Sequence, residues 1–201
     1  MLSKGEKHYT KERKLDNILR STTLTAAALV NQYIQPGCTV VDATCGNGND
    51  TLMLAKSTAK HVYAFDIQPA AIQSTKALLS EHNIYKEKVT LICDNHTNMT
   101  AYLSAARVIM FNLGYLPGSD KSLTTKKYNT INAVNSALSI LEKDGLCCIV
   151  MYDGHEQGAE EKSALLEMSK NLDSSIYHVA YISMINQQNH PPEILAITKK
   201  K

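Results

Sequence analysis

The sequence is most informative at first for what it lacks. Nowhere in its 201 residues is there a run of about eighteen apolar residues, so no membrane-spanning helix is expected. The first fifteen residues, MLSKGEKHYTKERKL, have no apolar core and do not read as a secretory leader; a cytoplasmic location is expected. The five cysteines (Cys38, Cys45, Cys93, Cys147, Cys148) contain no C-x-x-C pair, which argues against a metal site and for reduced, mostly buried thiols. A net charge of +2 is too small to mark a nucleic-acid binder by itself. The cations are nevertheless uneven: Lys4, Lys7, Lys11, Arg13, Lys14 and Arg20 crowd the N-terminus, and Lys121, Lys126 and Lys127 share one mid-chain loop. There is no internal repeat, low-complexity tract or linker, and the length suits a single domain over 1–201, with an N-terminal helical extension over 1–35 and a core over 36–201.

What is present is a regular alternation. Short apolar segments rich in β-branched and aromatic residues predict strands at 39–44, 61–67, 89–94, 107–113 and 145–152. Between them, helical periodicity predicts helices at 49–58, 69–81, 129–141 and 157–171, the second with Pro69 in its first turn. Such alternation implies right-handed βαβ units and an α/β fold with a mainly parallel sheet. The rhythm breaks at the end, where 178–185 and 193–198 read as an antiparallel hairpin joined through NQQNHPP. Ahead of the first strand, 21–34 reads as an amphipathic helix capped by Ser21 or Thr22, with Gly37 after its end. Its apolar face can pack internally or against a second copy of the chain, which leaves a homodimer open.

The first strand runs into VVDATCGNGND, residues 40–50. A dinucleotide fingerprint needs a third glycine where Thr51 stands, and a triphosphate loop needs a G-K-[ST] that is absent. The remaining pattern, Asp42-x-x-x-Gly46-x-Gly48, lets a backbone turn closely under a ligand that needs no pyrophosphate cradle. The second strand ends at Asp66, whose carboxylate can accept from both hydroxyls of a ribose. The third ends in Asp94-Asn95-His96, close to where an adenine edge would lie. Any one of Asp42, Asp66 and Asp94 can be a turn cap; all three at successive strand ends point to a nucleoside-bearing ligand.

On these residues the chain resembles the class I S-adenosylmethionine-dependent methyltransferases, from Thr39 to Thr198, terminal hairpin included. The resemblance implies a Rossmann-like, seven-stranded sheet in the order 3-2-1-4-5-7-6, strand 7 antiparallel, with helices on both faces. It implies S-adenosyl-L-methionine as cofactor. Gly46, Asn47, Gly48, Asn49 and Asp50 would surround its methionine part, and Asp66, Ile67 and Gln68 its ribose. Asp94 and His96 would lie by its adenine, with Asp42, Thr44, Thr51 and Asn112 completing the site.

The fourth strand ends in FNLGYLPGSDKSLTT, residues 111–125. Amino-group methyltransferases of this class carry Asn/Asp-Pro-Pro-aromatic there, and Asn112-Leu113-Gly114-Tyr115 is similar to it without the prolines. An amine must present its lone pair to the methyl group, so its N–H groups must be held elsewhere. The Asn112 side-chain oxygen and a backbone carbonyl suit that task, and Tyr115 can stack on a flat base, worth roughly 1–3 kcal/mol. Four motifs, NLGYLPG with its following D-K-S-TT, AT-GNG-DT, YAFDIQ and INQQN-PP, also resemble a small bacterial family labelled ribosomal RNA methylases. Cys45, Asn49 and Ser119 depart from its usual residues. Members are associated with tRNA, converting the wobble nucleoside 5-aminomethyl-2-thiouridine to 5-methylaminomethyl-2-thiouridine. A primary amine must lose a proton before attack, and Asp120, Tyr152, Asp153 and His155 are candidate bases, His155 first because its ordinary pKa lies near neutrality. The expected substrate contacts are Leu113, Gly114, Tyr115, Lys121, Lys126, Asn189 and Pro191, the lysines toward phosphates and 189–192 toward the anticodon loop. The competing readings are a related enzyme acting on ribosomal RNA, protein or a small amine, a nicotinamide oxidoreductase, and a non-catalytic RNA-binding subunit.

Overall fold

The computed structural model describes residues 17–84, 87–114, 127–154, 156–188 and 190–201. Helix α1 (Thr22–Tyr33) precedes β1 (Thr39–Asp42). Then come α2 (Asn49–Lys56), β2 (His61–Asp66), α3 (Pro69–Glu81) and β3 (Val89–Cys93). A 3-10 helix (His96–Ala101) leads to β4 (Ala106–Leu113), α4 (Lys127–Ile140), β5 (Leu141–Met151) and α5 (Glu156–Lys170). Strands β6 (Tyr177–Ile182) and β7 (Glu193–Lys199) end the chain. The strands form one sheet in the order β3-β2-β1-β4-β5-β7-β6. Neighbours among β1 to β5 are parallel, and β7 runs antiparallel to both β5 and β6. The mainly parallel sheet and the terminal hairpin are those the alternating pattern predicts, and the strand order is the one the resemblance implies.

Strand side chains alternate between faces, and each face has its own core. Val41, Ile109, Phe111, Cys147 and Ile149 pack with Ala133, Val134 and Ala137 of α4, Leu165 of α5 and Met99. Val40, Val108, Met110, Cys148 and Val150 pack on the other side with Val30 of α1, Leu54 of α2 and Leu79 of α3. Helix α1 is thereby part of the core, started by the Ser21 hydroxyl, which accepts from the Leu24 N–H at 3.2 Å, and followed by Gly37 at φ 86°. Met110 and Val108 place Asn112, two residues on, on the α2 side of the sheet. The parallel strands all end on one rim, where an open α/β sheet offers its loops to ligands.

Several boundaries differ from expectation. Strand β5 begins at Leu141 rather than 145, directly after α4, because its first residues pair with β4 through a register shift between Ala106 and Val108. Strand β6 stops at Ile182 instead of 185. Lys127, expected in a loop, is the first residue of α4. Among the described residues no helix is long and apolar enough to cross a membrane, and no cluster of His, Cys, Asp or Glu could hold a metal ion. All five cysteines are free; Cys45, Cys147 and Cys148 are buried, Cys38 partly so, and Cys93 is exposed.

Candidate active site

The loop between β1 and α2 is held from several directions. The Asp42 carboxylate, 1% exposed, accepts from the Thr44 N–H (3.1 Å) and the Thr51 hydroxyl (2.6 Å), closing the loop at both ends. Burial, and then the charge of Asp50, pushes this carboxyl up to about 7. Gly46 and Gly48 have φ of 50° and 87°, where L residues are strained. Gly48 also has no room: a Cβ would lie 2.9 Å from Thr75 Cα and 3.0 Å from its hydroxyl. Thr75 donates to the Gly46 carbonyl at 3.1 Å, so α3 fixes the loop from the side. Asn47 is exposed, with the Ser74 hydroxyl 3.4 Å from its Oδ1, and Asn49 is exposed at the start of α2.

Asp66, at the tip of β2, joins the same loop. Its Oδ2 accepts from the Gly46 N–H at 3.0 Å and its Oδ1 from the Gln68 N–H at 2.9 Å. Each oxygen keeps lone-pair capacity for a further donor, as a ribose diol requires. Ile67 beside it is 48% exposed. Asp94 lies two residues ahead of the 3-10 helix: it accepts from Asn95 N–H, from Asn98 and from the Tyr102 hydroxyl (2.8 Å), and these bonds, Tyr102 first, hold its carboxyl below the usual range. His96 is buried under the loop. Its Nδ1–H donates to the Ala43 carbonyl at 2.9 Å, its ring meets Phe111 edge-on, and burial holds its pKa down, so it is neutral at physiological pH.

Asn112, on β4, closes the site. Its main-chain N–H donates to the Thr44 hydroxyl at 2.7 Å, and its side-chain Nδ2–H donates to Asp50 Oδ2. Among the described residues its Oδ1 is buried without a hydrogen-bond partner. A buried carbonyl oxygen left open costs about 1–3 kcal/mol, which makes it a position built for an incoming donor. Leu113 is 2% exposed and packs into the core, so only its main chain is left to face a ligand. The Tyr152 ring lies against Gly114, where a Cβ would be 3.4 Å from it. Beyond Tyr152, Lys162 pairs with Asp153 (2.8 Å) and with Glu193. A cavity of about 300 Å³ there is lined by Asp153, Lys162, Ser183, Gln188, His190 and Pro191.

The structure therefore brings Asp42, Thr44, Gly46, Gly48, Asp50, Thr51, Asp66 and Asn112 into one bonded unit. Tyr115, Asp120, Lys121, Lys126, His155 and Asn189 lie outside the described residues. Two contributors escaped the sequence reading. Thr75 sits on the buried 71–75–79 stripe of α3, and a hydroxyl on an otherwise apolar stripe was its available signal. Tyr102 holds Asp94 across eight residues, with nothing in the pattern to announce it.

The model of the family described as "Putative rRNA methylase" matches residues 62–198. A chloroplast tRNA (mnm(5)s(2)U34)-methyltransferase of Arabidopsis thaliana is 38% identical over 86% of this chain and 67% of its own length. The crystal structure of a "putative rRNA-methylase" from Clostridium thermocellum superposes with a TM-score of 0.85 at 39% identity, over 90% of this chain and 98% of that one. A "putative methyltransferase" from Streptococcus mutans, crystallised in complex with SAH, does so with a TM-score of 0.80 at 37% identity, over 87% and 96%. The glycine loop, the Asp66 carboxylate and the open Asn112 oxygen thus stand on a sheet shared with proteins of one group, and the chain belongs to that rRNA methylase family, as an S-adenosylmethionine-dependent methyltransferase of class I fold.

Proposed function

We propose that this enzyme methylates a primary aliphatic amine on tRNA, the aminomethyl group of 5-aminomethyl-2-thiouridine at the wobble position of the anticodon loop. The observation that carries this reading is the Asn112 carboxamide: Nδ2 is tied to Asp50 while the buried Oδ1 is open. An open acceptor suits an amine, whose N–H must be held away from the line of attack, and does nothing for a nucleophile without hydrogens. The name of the Arabidopsis relative, at 38% identity, supports the acceptor class.

The cofactor supplies an electrophilic methyl carbon on a positively charged sulfonium. The residues present fit it: a loop turned by left-handed φ at Gly46 and Gly48, and Asp66 oxygens each with one donor and room for another. The loop from Gly46 to Asn49 would hold the methionine part, with Asp50 turned to Asn112 instead, Asp66 with Gln68 would hold the ribose, and the Asp94–His96 turn would border the adenine. Asp42 and Thr51 act by closing the loop, Thr44 by holding Asn112. The chain's contribution to rate is then placement of the amine in line for transfer. The 189–192 connection and the cationic stretch containing Lys121 and Lys126 would meet the RNA, Tyr115 the target base, and His155 the amine proton.

The test uses tRNA from a strain lacking this gene, incubated with the purified protein and S-adenosylmethionine, then digested and weighed as nucleosides. The expected result is conversion of the aminomethyl nucleoside to its methylaminomethyl form. An unmethylated nucleoside beside retained cofactor binding would sink the substrate assignment and turn attention to ribosomal RNA, protein and small amines.

A further inference from the structure

The two ends of a carboxamide have nearly the same shape, and only their hydrogen bonds decide which end points where. For Asn112 the choice is consequential. With Oδ1 toward the acceptor, the amine's N–H finds a partner; with Nδ2 there, two donors face each other. One contact makes the choice: Nδ2–H donates to Asp50 Oδ2, leaving Oδ1 buried and, among the described residues, open. An ionised carboxylate only accepts, so it can be satisfied by the amide's NH2 end and never by its oxygen.

The placement of Asp50 is as constrained as that of Asn112. Asp50 is the second residue of α2, where the helix dipole favours an anion. The αL turn at Gly48 aims the start of that helix, and the next residue, Thr51, is bonded to Asp42. Asn112 is fixed at its main chain by Thr44 of the same loop. One loop therefore pins both partners of a contact 62 residues apart in sequence.

We propose that Asp50 is a positioning residue for methyl transfer, orienting the Asn112 carboxamide so that Oδ1 faces the acceptor amine. The role rests on the amine reading above, although the anchor itself exists whichever amine is used. Among the described residues, Asp50 interacts with Asn112 from β4, Asp42 from β1, Cys148 from β5 and Tyr152 just beyond β5. Burial raises the Asp50 carboxyl above its usual range and the Asn112 bond opposes that rise. Protonation would turn Asp50 into a donor able to cap the very oxygen it is meant to expose, so orientation and rate fall together on the acid side.

The experiment has two arms. In the first, Asp50→Ala is expected to lower kcat about 10- to 100-fold, with the KM for tRNA and the affinity for SAH within about threefold of the parent. Asp50→Asn, which keeps an acceptor oxygen, is expected to recover part of that loss. Parallel loss of SAH affinity and kcat in Asp50→Ala would make Asp50 a cofactor ligand and overturn the proposal. So would an unchanged kcat, or an Asp50→Asn no better than Asp50→Ala. The second arm needs no substrate: the side-chain NH2 resonance of Asn112, assigned by its loss in Asn112→Ala, is followed with pH in the SAH-bound protein. It should titrate in the parent and stop titrating in Asp50→Asn; a resonance indifferent to pH in the parent would overturn the anchor. If the parent leaves tRNA unmethylated, the substrate reading fails while this arm still judges Asp50.

Discussion

The two halves of the sheet's rim are built in opposite ways. On the β1–β2–β3 side, polar groups are bonded to one another before any ligand arrives: Asp42 to Thr44 and Thr51, Asp66 to Gly46 and Gln68, Asp94 to Asn95, Asn98 and Tyr102. On the β4–β5 side, capacity is left over: among the described residues Asn112 Oδ1 and Asp153 Oδ1 are buried without partners, and Tyr152 is 36% exposed. The cofactor is the same in every turnover, so a rigid cradle serves it at no recurring ordering cost. On the amine reading proposed above, the acceptor would enter, lose a proton and leave, and the open oxygens on its side would take the N–H groups it brings with it. Asn112 belongs to both halves, its main chain bonded to Thr44 and its side-chain oxygen open.

Substitutions on the cradle side should break binding and leave the acceptor chemistry intact wherever the protein still folds. Gly48→Ala is the harshest, since it combines a left-handed φ with a 2.9 Å approach to Thr75 Cα. It should cost about 3 kcal/mol of stability and abolish SAH binding, both read in thermal unfolding with and without ligand. Asp66→Ala leaves two backbone N–H groups without their acceptor and should weaken SAH binding about 10- to 100-fold in calorimetry while the fold persists.

Asp42→Asn sharpens the comparison with a smaller effect. The Asp42 carboxyl is raised from 3.8 to about 7, so the folded state holds a proton that the unfolded chain has released. That contribution is whole below 3.8 and is lost as pH rises through about 7. The amide is neutral throughout and keeps an acceptor for the Thr44 N–H. The cofactor-free variant should therefore gain on the parent at pH 8 and lose that advantage at acid pH, seen as melting curves that converge on acidification. An advantage independent of pH would mean that Asp42 is not the group titrating.

Much of the cradle could be read from the chain because it is local. Gly46, Gly48 and Asp42 lie within seven residues, and a parallel sheet puts Asp66 at the adjacent strand tip whenever the βαβ reading is right. Helix α3 was legible to the residue, Pro69 to Glu81, since a proline fixes its first turn. The site's cross-links were not legible. Asp50 to Asn112, Thr75 to Gly46 and His96 to Ala43 join residues 62, 29 and 53 apart, and no periodicity specifies which polar groups meet. The start of β5 was missed for a related reason. Residues 141–144 look like a turn, with Asp144 at φ 57°, yet β4 draws them into the sheet, and Gly145 is needed because a Cβ would lie 2.8 Å from the Arg107 carbonyl. The 3-10 helix after β3 depends on the Asn95 side chain accepting from the Thr97 N–H, a cap visible only once the strand end is known.

The most direct test of the divided rim sets Asn112→Ala beside Asp66→Ala and measures SAH affinity and transfer rate for both. The account predicts that Asn112→Ala keeps SAH affinity within about threefold while kcat falls about 10²- to 10³-fold, and that Asp66→Ala loses affinity first. Equal losses of SAH affinity in the two variants would contradict it, because cradle and acceptor side would then be one site.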